Sequence, residues 1–165
     1  IFNKIYKMSK EIVQKGICVL HQTEYKGSII FHEIKENSRR YCKIIIDLEG
    51  LPPGKRGFHI HEKGNLLHGC ASLCAHYNPH NKTHGGLNEK NSHMGDLGNI
   101  IVNKNGKIKY SLIANNLRLT GKYSIIGRSV VIHEDEDDLG KGDNEDSLIT
   151  GNAGKRIACG IIGYF

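Results

Sequence analysis

Most of the chain's ten histidines fall between residues 59 and 96. The stretch opens on His59-Ile60-His61, runs through His76 and His84, and closes on His93-Met94-Gly95-Asp96. His133 stands apart, at the end of the apolar run Val130-Val131-Ile132. Imidazole nitrogens ligate zinc and copper, and the Asp96 carboxylate can complete a four-coordinate site. A histidine taken alone is most simply a half-buried ring bonded to backbone. A pair at i, i+2 combined with His-Met-Gly-Asp is a metal pattern, with Gly95 expected to turn the chain sharply enough for His93 and Asp96 to converge. The donors outnumber what one tetrahedral ion takes, so two ions are expected. A carboxylate with histidines from one ordered loop suits a closed zinc site, and histidines from separate strands without thiolate suit copper. Residue types do not fix how the donors divide.

The elements that must position these groups are short strands. Residues 17–21 and 28–32 are β-rich runs on either side of a polar segment ending in Gly27. Residues 41–48 carry Ile44-Ile45-Ile46, and Pro52-Pro53-Gly54 is a turn. Residues 58–61 form a strand whose period of two puts His59 and His61 on one face, with Phe58 and Ile60 on the other. From 62 to 96 periodicity disappears, and a loop that long needs a reason such as metal ligation. Strand character returns at 98–102 and 108–114, joined by the hairpin signal Asn105-Gly106, and again at 129–133 and 157–163. A second long polar loop fills 134–156. About eight strands and no helix point to an all-β sandwich or Greek-key barrel.

The totals narrow the classes. A chain of 165 residues makes one domain with a real core. Residues 1–14 read as a flexible N-terminal extension ahead of a domain over 15–165. The formal charge of +6 raises nucleic acid as a partner. Its distribution argues against that, because lysines gather at Lys4, Lys7, Lys10 and Lys15, acids crowd 134–146, and no aromatic–arginine surface is interleaved for strands to stack on. No apolar window is long enough to span a membrane and no secretory leader is read, which leaves a cytoplasmic protein as the expectation. Five cysteines (Cys18, Cys42, Cys70, Cys74, Cys159) cannot all pair within one chain, and composition does not say whether any do.

The runs Gly57-Phe58-His59-Ile60-His61-Glu62, Gly69-Cys70, His76-Tyr77-Asn78-Pro79, His84-Gly85-Gly86, His93-Met94-Gly95-Asp96-Leu97-Gly98-Asn99 and Gly151-Asn152-Ala153-Gly154-Lys155-Arg156 resemble those of the copper/zinc superoxide dismutases. The resemblance extends from about Lys15 to the C-terminus. It implies an eight-stranded Greek-key β-barrel, an immunoglobulin-like sandwich, with long metal-binding and electrostatic loops. It also implies one copper per subunit on His59, His61, His76 and His133, and one zinc on His76, His84, His93 and Asp96. His76 would be the shared bridge and the proton carrier, and Asp137 would link the free nitrogens of His59 and His84. A disulfide between Cys70 and Cys159, an anion-docking Arg156 and a channel-wall Thr150 follow from the same resemblance. So does the activity: disproportionation of superoxide to dioxygen and hydrogen peroxide.

The chain departs from that family at several positions. Asp135 and Ile149 stand where steering lysines are usual, so the rim is expected to be less positive, with Lys141 and Lys155 as partial substitutes. Cys74 stands where glycine is usual; it can compete for Cys159 or stay buried and free, and the second is the expectation. A homodimer is expected through an apolar patch including Ile126, Ile161, Ile162 and Tyr164, although Lys63 replaces an apolar residue there. A copper chaperone is a further partner. The rival reading is a dismutase-like copper chaperone or metal-binding protein without turnover, a class that generally lacks part of the copper set. Heavy use of Ile, Asn and Lys hints at an AT-rich source such as a parasite or a large DNA virus, which would put the protein in a host cytoplasm.

Overall fold

Alternation fixes the strands. In Arg39–Glu49 the side chains of Cys42, Ile44, Ile46 and Leu48 are buried while Lys43, Ile45, Asp47 and Glu49 are not, the period of two that one covered sheet face requires. Ile29 and Phe31 do the same in Lys26–Glu36. These faces meet Phe58, Ile60, Ile100, Val130, Ile132 and Ile162 in one continuous core.

The computed structural model describes residues 9–165. Its strands are β1 (Lys10–His21), β2 (Lys26–Glu36), β3 (Arg39–Glu49), β4 (Gly54–His61), β5 (Leu67–Cys70), β6 (Asp96–Val102), β7 (Lys107–Ala114), β8 (Ser129–His133) and β9 (Arg156–Tyr164). All but the short β5 join one antiparallel sheet in the order β6-β4-β8-β9-β1-β2-β3-β7. The edge strands β6 and β7 are consecutive in sequence and joined at the Asn103–Gly106 turn, where Gly106 takes φ 71 and donates to the Asn103 carbonyl at 3.0 Å. The sheet therefore nearly closes into a barrel, and the β3–β4 and β7–β8 connections cross it in Greek-key fashion. Glu33, fully buried, ties down the second crossing by accepting from the amides of Leu119 and Thr120 at 2.8 and 3.0 Å.

The expected eight-stranded barrel is present, and its boundaries differ from the sequence reading in three places. β1 begins at Lys10, inside the stretch read as a flexible extension, because β2 continues to Glu36 and pairs with it there; residues 1–8 of that stretch lie outside the described residues. The first long loop contains β5 and a 3₁₀ turn (Ala71–Leu73). The second contains α1 (Ser147–Thr150), a single turn too short to leave a periodic signature.

Candidate metal centre

Adjacent strands bring the donors together. His59 and His61 project from β4, which lies between β6, beginning at Asp96, and β8, ending at His133. Phe58 and Ile60 face the core, so the two histidines point outward, where the 71–95 loop covers them. A bridge between His61 and His76 stitches that loop to β4. Gly95 completes the seam by donating to the Tyr77 carbonyl while its own carbonyl accepts from Ile60 N–H at 2.8 Å. The expected reason for this glycine was a sharp turn. The observed reason is close approach, since a Cβ there would stand 2.2 Å from the Ile60 carbonyl oxygen.

Hydrogen bonds assign the tautomers and leave three bare nitrogens. His61 donates from Nδ1 to the Cys74 carbonyl at 2.9 Å, and His133 from Nδ1 to the Gly154 carbonyl at 3.1 Å. His59 donates from Nε2 to Asp137 Oδ2 at 2.7 Å. The opposite nitrogens (His61 Nε2, His133 Nε2 and His59 Nδ1) are buried without a partner. With His76 they form a group whose ligand atoms all lie within 4.8 Å of one another. Burial, followed by the neighbouring His76, pushes His59 down to about 3 and His61 to about 2. Burial pulls His133 down to about 4. At neutral pH these rings therefore present uncharged lone pairs, the form a metal takes.

A second convergence lies on the other side of His76. The Nδ1 atoms of His76, His84 and His93 stand 3.0, 3.0 and 3.2 Å from one oxygen, Asp96 Oδ1. His84 makes that approach without hydrogen-bond geometry, leaving its Nδ1 unpartnered. The other carboxylate oxygen accepts from the amides of Gly85 and His93 at 3.0 and 2.8 Å. Burial works against the Asp96 anion, yet the three imidazoles hold its pKa far below the usual carboxylate range. By mutual distance the compact four-atom group is His59, His76, His84 and Asp96. His93 Nδ1 lies against the same Asp96 oxygen, and the His59 ring is tied through Nε2 to Asp137 with its Nδ1 left free.

Asp137 spans the two groups, accepting from His59 on Oδ2 and from His84 Nε2 on Oδ1 at 2.8 Å. Burial would depress His84, but its hydrogen bond to Asp137 and the adjacent Asp96 carboxylate raise it to about 9. Asn99 clasps the Asp137 backbone with two 2.8 Å bonds. Gly151, at φ 69, leaves room for the brace, since a Cβ there would stand 2.0 Å from Asp137 Oδ1. Sequence reading missed the orienting role of Asn99 and of the Cys74 and Gly154 carbonyls. Every residue carries a backbone carbonyl, so no residue type signals that role.

His61, His76 and His133 form the floor of an open cavity of about 550 Å³. Arg156 and Thr150 stand on its walls, with Ile149, Asp146 and Cys74 also lining it. Arg156 donates to the carbonyls of Cys70, at 2.8 Å, and Cys74. Cys70 is disulfide-bonded to Cys159 in β9, which anchors the segment carrying the arginine's two acceptors to the barrel. Cys74 is free, as expected, but exposed, because its φ of 65 turns it to the rim. Lys141 and Lys155 each approach an acid, Glu89 at 3.7 Å and Glu134 at 3.9 Å. His68 and His80 are exposed and belong to neither donor group.

A family model described as copper/zinc superoxide dismutase matches residues 25–162. The chain belongs to that family. It is 54% identical over 140 residues to the Cu-Zn superoxide dismutase of Paramecium bursaria Chlorella virus 1, covering 84% of this chain and 73% of that protein. It is 50% identical over 141 residues to the extracellular Cu-Zn superoxide dismutase of Drosophila melanogaster, covering 86% and 77%. With superoxide dismutase [Cu-Zn] 5 of Dictyostelium discoideum the identity is 49% over 148 residues, covering 89% and 95%. The crystal structure of the clock protein EA4 superposes with a TM-score of 0.86 at 43% identity, covering 92% of this chain and 95% of that one. Family membership and the two donor groups together make this superoxide dismutase an oxidoreductase that disproportionates superoxide. No helix among the described residues is long and apolar enough to cross a membrane.

Proposed function

We propose that this dismutase holds copper on His59, His61, His76 and His133 and zinc on His76, His84, His93 and Asp96, one ion of each per subunit. The observation that carries the division is the set of bare, buried nitrogens on His59, His61 and His133, which with His76 gather within 4.8 Å of one another. Nitrogen-only donors drawn from separate strands suit copper, and the carboxylate-bearing group suits zinc. When bound, copper supplies the one-electron acceptor and donor, and zinc supplies a fixed positive charge.

The chain's own groups do the rest. His76 turns Nδ1 toward Asp96 and so keeps Nε2 for the copper side, where that atom holds and releases the proton the peroxide product needs. Arg156 has five N–H donors, of which the two carbonyls engage only part, and the remainder are available to a small anion in the cavity. Thr150 lines the same cavity. A chaperone without turnover is the weaker reading, because both donor groups and Arg156 are complete.

We also infer a homodimer. Val19, Leu66 and Ile161 are exposed around one shallow depression beside the disulfide, and Leu67 and Tyr164 are exposed as well. Ile162, expected in that patch, is fully buried because alternation along β9 turns it inward. Ile126 is half-buried against the core, and Lys63 is exposed. A free exposed thiol at Cys74 suits a reducing, cytoplasmic setting, where a copper chaperone would be the natural donor.

The shared ligand has a direct test. Filling both donor groups with Cu(II) should couple the two ions through His76 and suppress the ordinary Cu(II) electron paramagnetic resonance signal. His76→Ala should restore it. An uncoupled signal in the wild type would overturn the division.

A further inference from the structure

We propose that the Cys74 thiol is a docking ligand for monovalent copper at the mouth of the cavity, catching the ion before His61, His133 and His76 take it. This rests on reading that cavity as the copper site.

Cys74 is an exposed, free thiol on the lining of the space whose floor is His61, His76 and His133. Cys18 and Cys42 are fully buried, and burial pushes both thiols up to about 12, so neither can meet an arriving ion. Two imidazoles in the same cavity, 1% and 4% exposed, offer unpartnered Nε2 atoms: His61 and His133. A soft sulfur at the rim and two bare nitrogens behind it form a graded set of donors. Thiolate selects the monovalent ion, and imidazole accepts either oxidation state. The Arg156 guanidinium donates to the Cys74 carbonyl, which sets a fixed cation beside this residue. Its backbone, at φ 65 and ψ −155, occupies a region that glycine enters freely and other residues avoid.

Docking needs no electron transfer. The copper–sulfur bond forms as the S–H proton passes to solvent. It breaks as nitrogen lone pairs displace sulfur, and the thiol takes a proton back. Copper stays monovalent throughout.

The test uses the full chain, zinc-loaded and with the Cys70–Cys159 bond intact. Copper is supplied without oxygen as its monovalent bicinchoninate complex, and transfer is followed by loss of the chelate's colour. Cys74→Ser and Cys74→Gly, the second of which suits the backbone, should each slow transfer about tenfold, equivalent to about 1.4 kcal/mol of barrier. Final copper content should not change. In a His61→Ala/His133→Ala variant the ion should be caught at the rim. Its X-ray absorption should contain a sulfur shell that disappears when Cys74→Ser is added. Equal transfer rates in wild type and both variants, or no sulfur shell in the trapped form, would overturn docking. A loaded wild type lacking imidazole scattering would remove the copper reading along with docking. Imidazole-bound copper arriving equally fast would remove docking alone.

Discussion

Asp137 joins two imidazoles assigned to different ions, and its loss should be felt at both. In Asp137→Asn the amide nitrogen cannot accept, so either His59 Nε2–H or His84 Nε2–H loses its partner and its ring orientation. Metal affinity should fall about 10–100-fold, measured by chelator competition for each ion; unchanged affinities would mean that Asp137 is only a structural contact. The same groups set the response of the metal-free protein to pH. His59, His61 and His133 have folded values of about 3, 2 and 4 against an ordinary 6.5. Below pH 6.5 the unfolded chain therefore binds more protons, and stability falls with pH. Burial would raise Asp137, but hydrogen bonds from His59 and His84 hold it at about 2, and its contribution is lost as pH falls through that value. His84, held at about 9, acts oppositely: its contribution is complete below 6.5 and fades as pH rises through 9. The urea midpoint of the metal-free protein should thus be highest near neutrality and drop on acidification to pH 4. A midpoint that rises from pH 7 to 5 would contradict this. At this scale the donors were legible, because only a few side chains ligate metal. The Cys74, Gly154 and Cys70 carbonyls that aim His61, His133 and Arg156 were not.

Among the elements, β4 was legible because alternation fixes which way His59 and His61 point once Phe58 and Ile60 are in the core. β5 and α1 were not, since four residues hold only two periods of a strand and little more than one turn of a helix. The disulfide couples β5 to the barrel across a sequence separation of 89 residues. Reducing it in the metal-free protein should cost about 2–5 kcal/mol of stability, read from urea unfolding with and without reductant. It should also loosen Arg156, whose guanidinium is held by the Cys70 carbonyl. Identical unfolding curves would show that the loop is held by its other contacts alone. Gly151→Ala tests the second loop. Its Cβ would collide with Asp137, so it should weaken metal binding in the same direction as Asp137→Asn; unchanged affinity would show that the loop yields.

For the whole molecule, total charge is a poor guide to what an anion meets. The chain carries a formal +6, yet Asp146 lines the cavity, Ile149 contributes no charge, and Lys141 and Lys155 each stand near an acid. Capture of superoxide should therefore be slower and less salt-sensitive than a positively rimmed cavity would give. Asp135→Lys/Ile149→Lys should raise kcat/KM at low ionic strength and steepen its fall with salt. Pulse radiolysis across a salt series would check this, and an unchanged slope would place the controlling charges elsewhere. The Greek-key order itself was legible only through strand count and family likeness, because no local pattern states which strands become neighbours across the barrel.

The most direct measurement takes one sample, loaded and assayed for copper and zinc per chain, and follows superoxide decay before and after selective removal of copper. Expected are one ion of each kind, decay through many turnovers, and loss of that decay with copper alone while the fold persists. A folded, fully loaded protein in which superoxide decays no faster than in buffer would contradict the assignment.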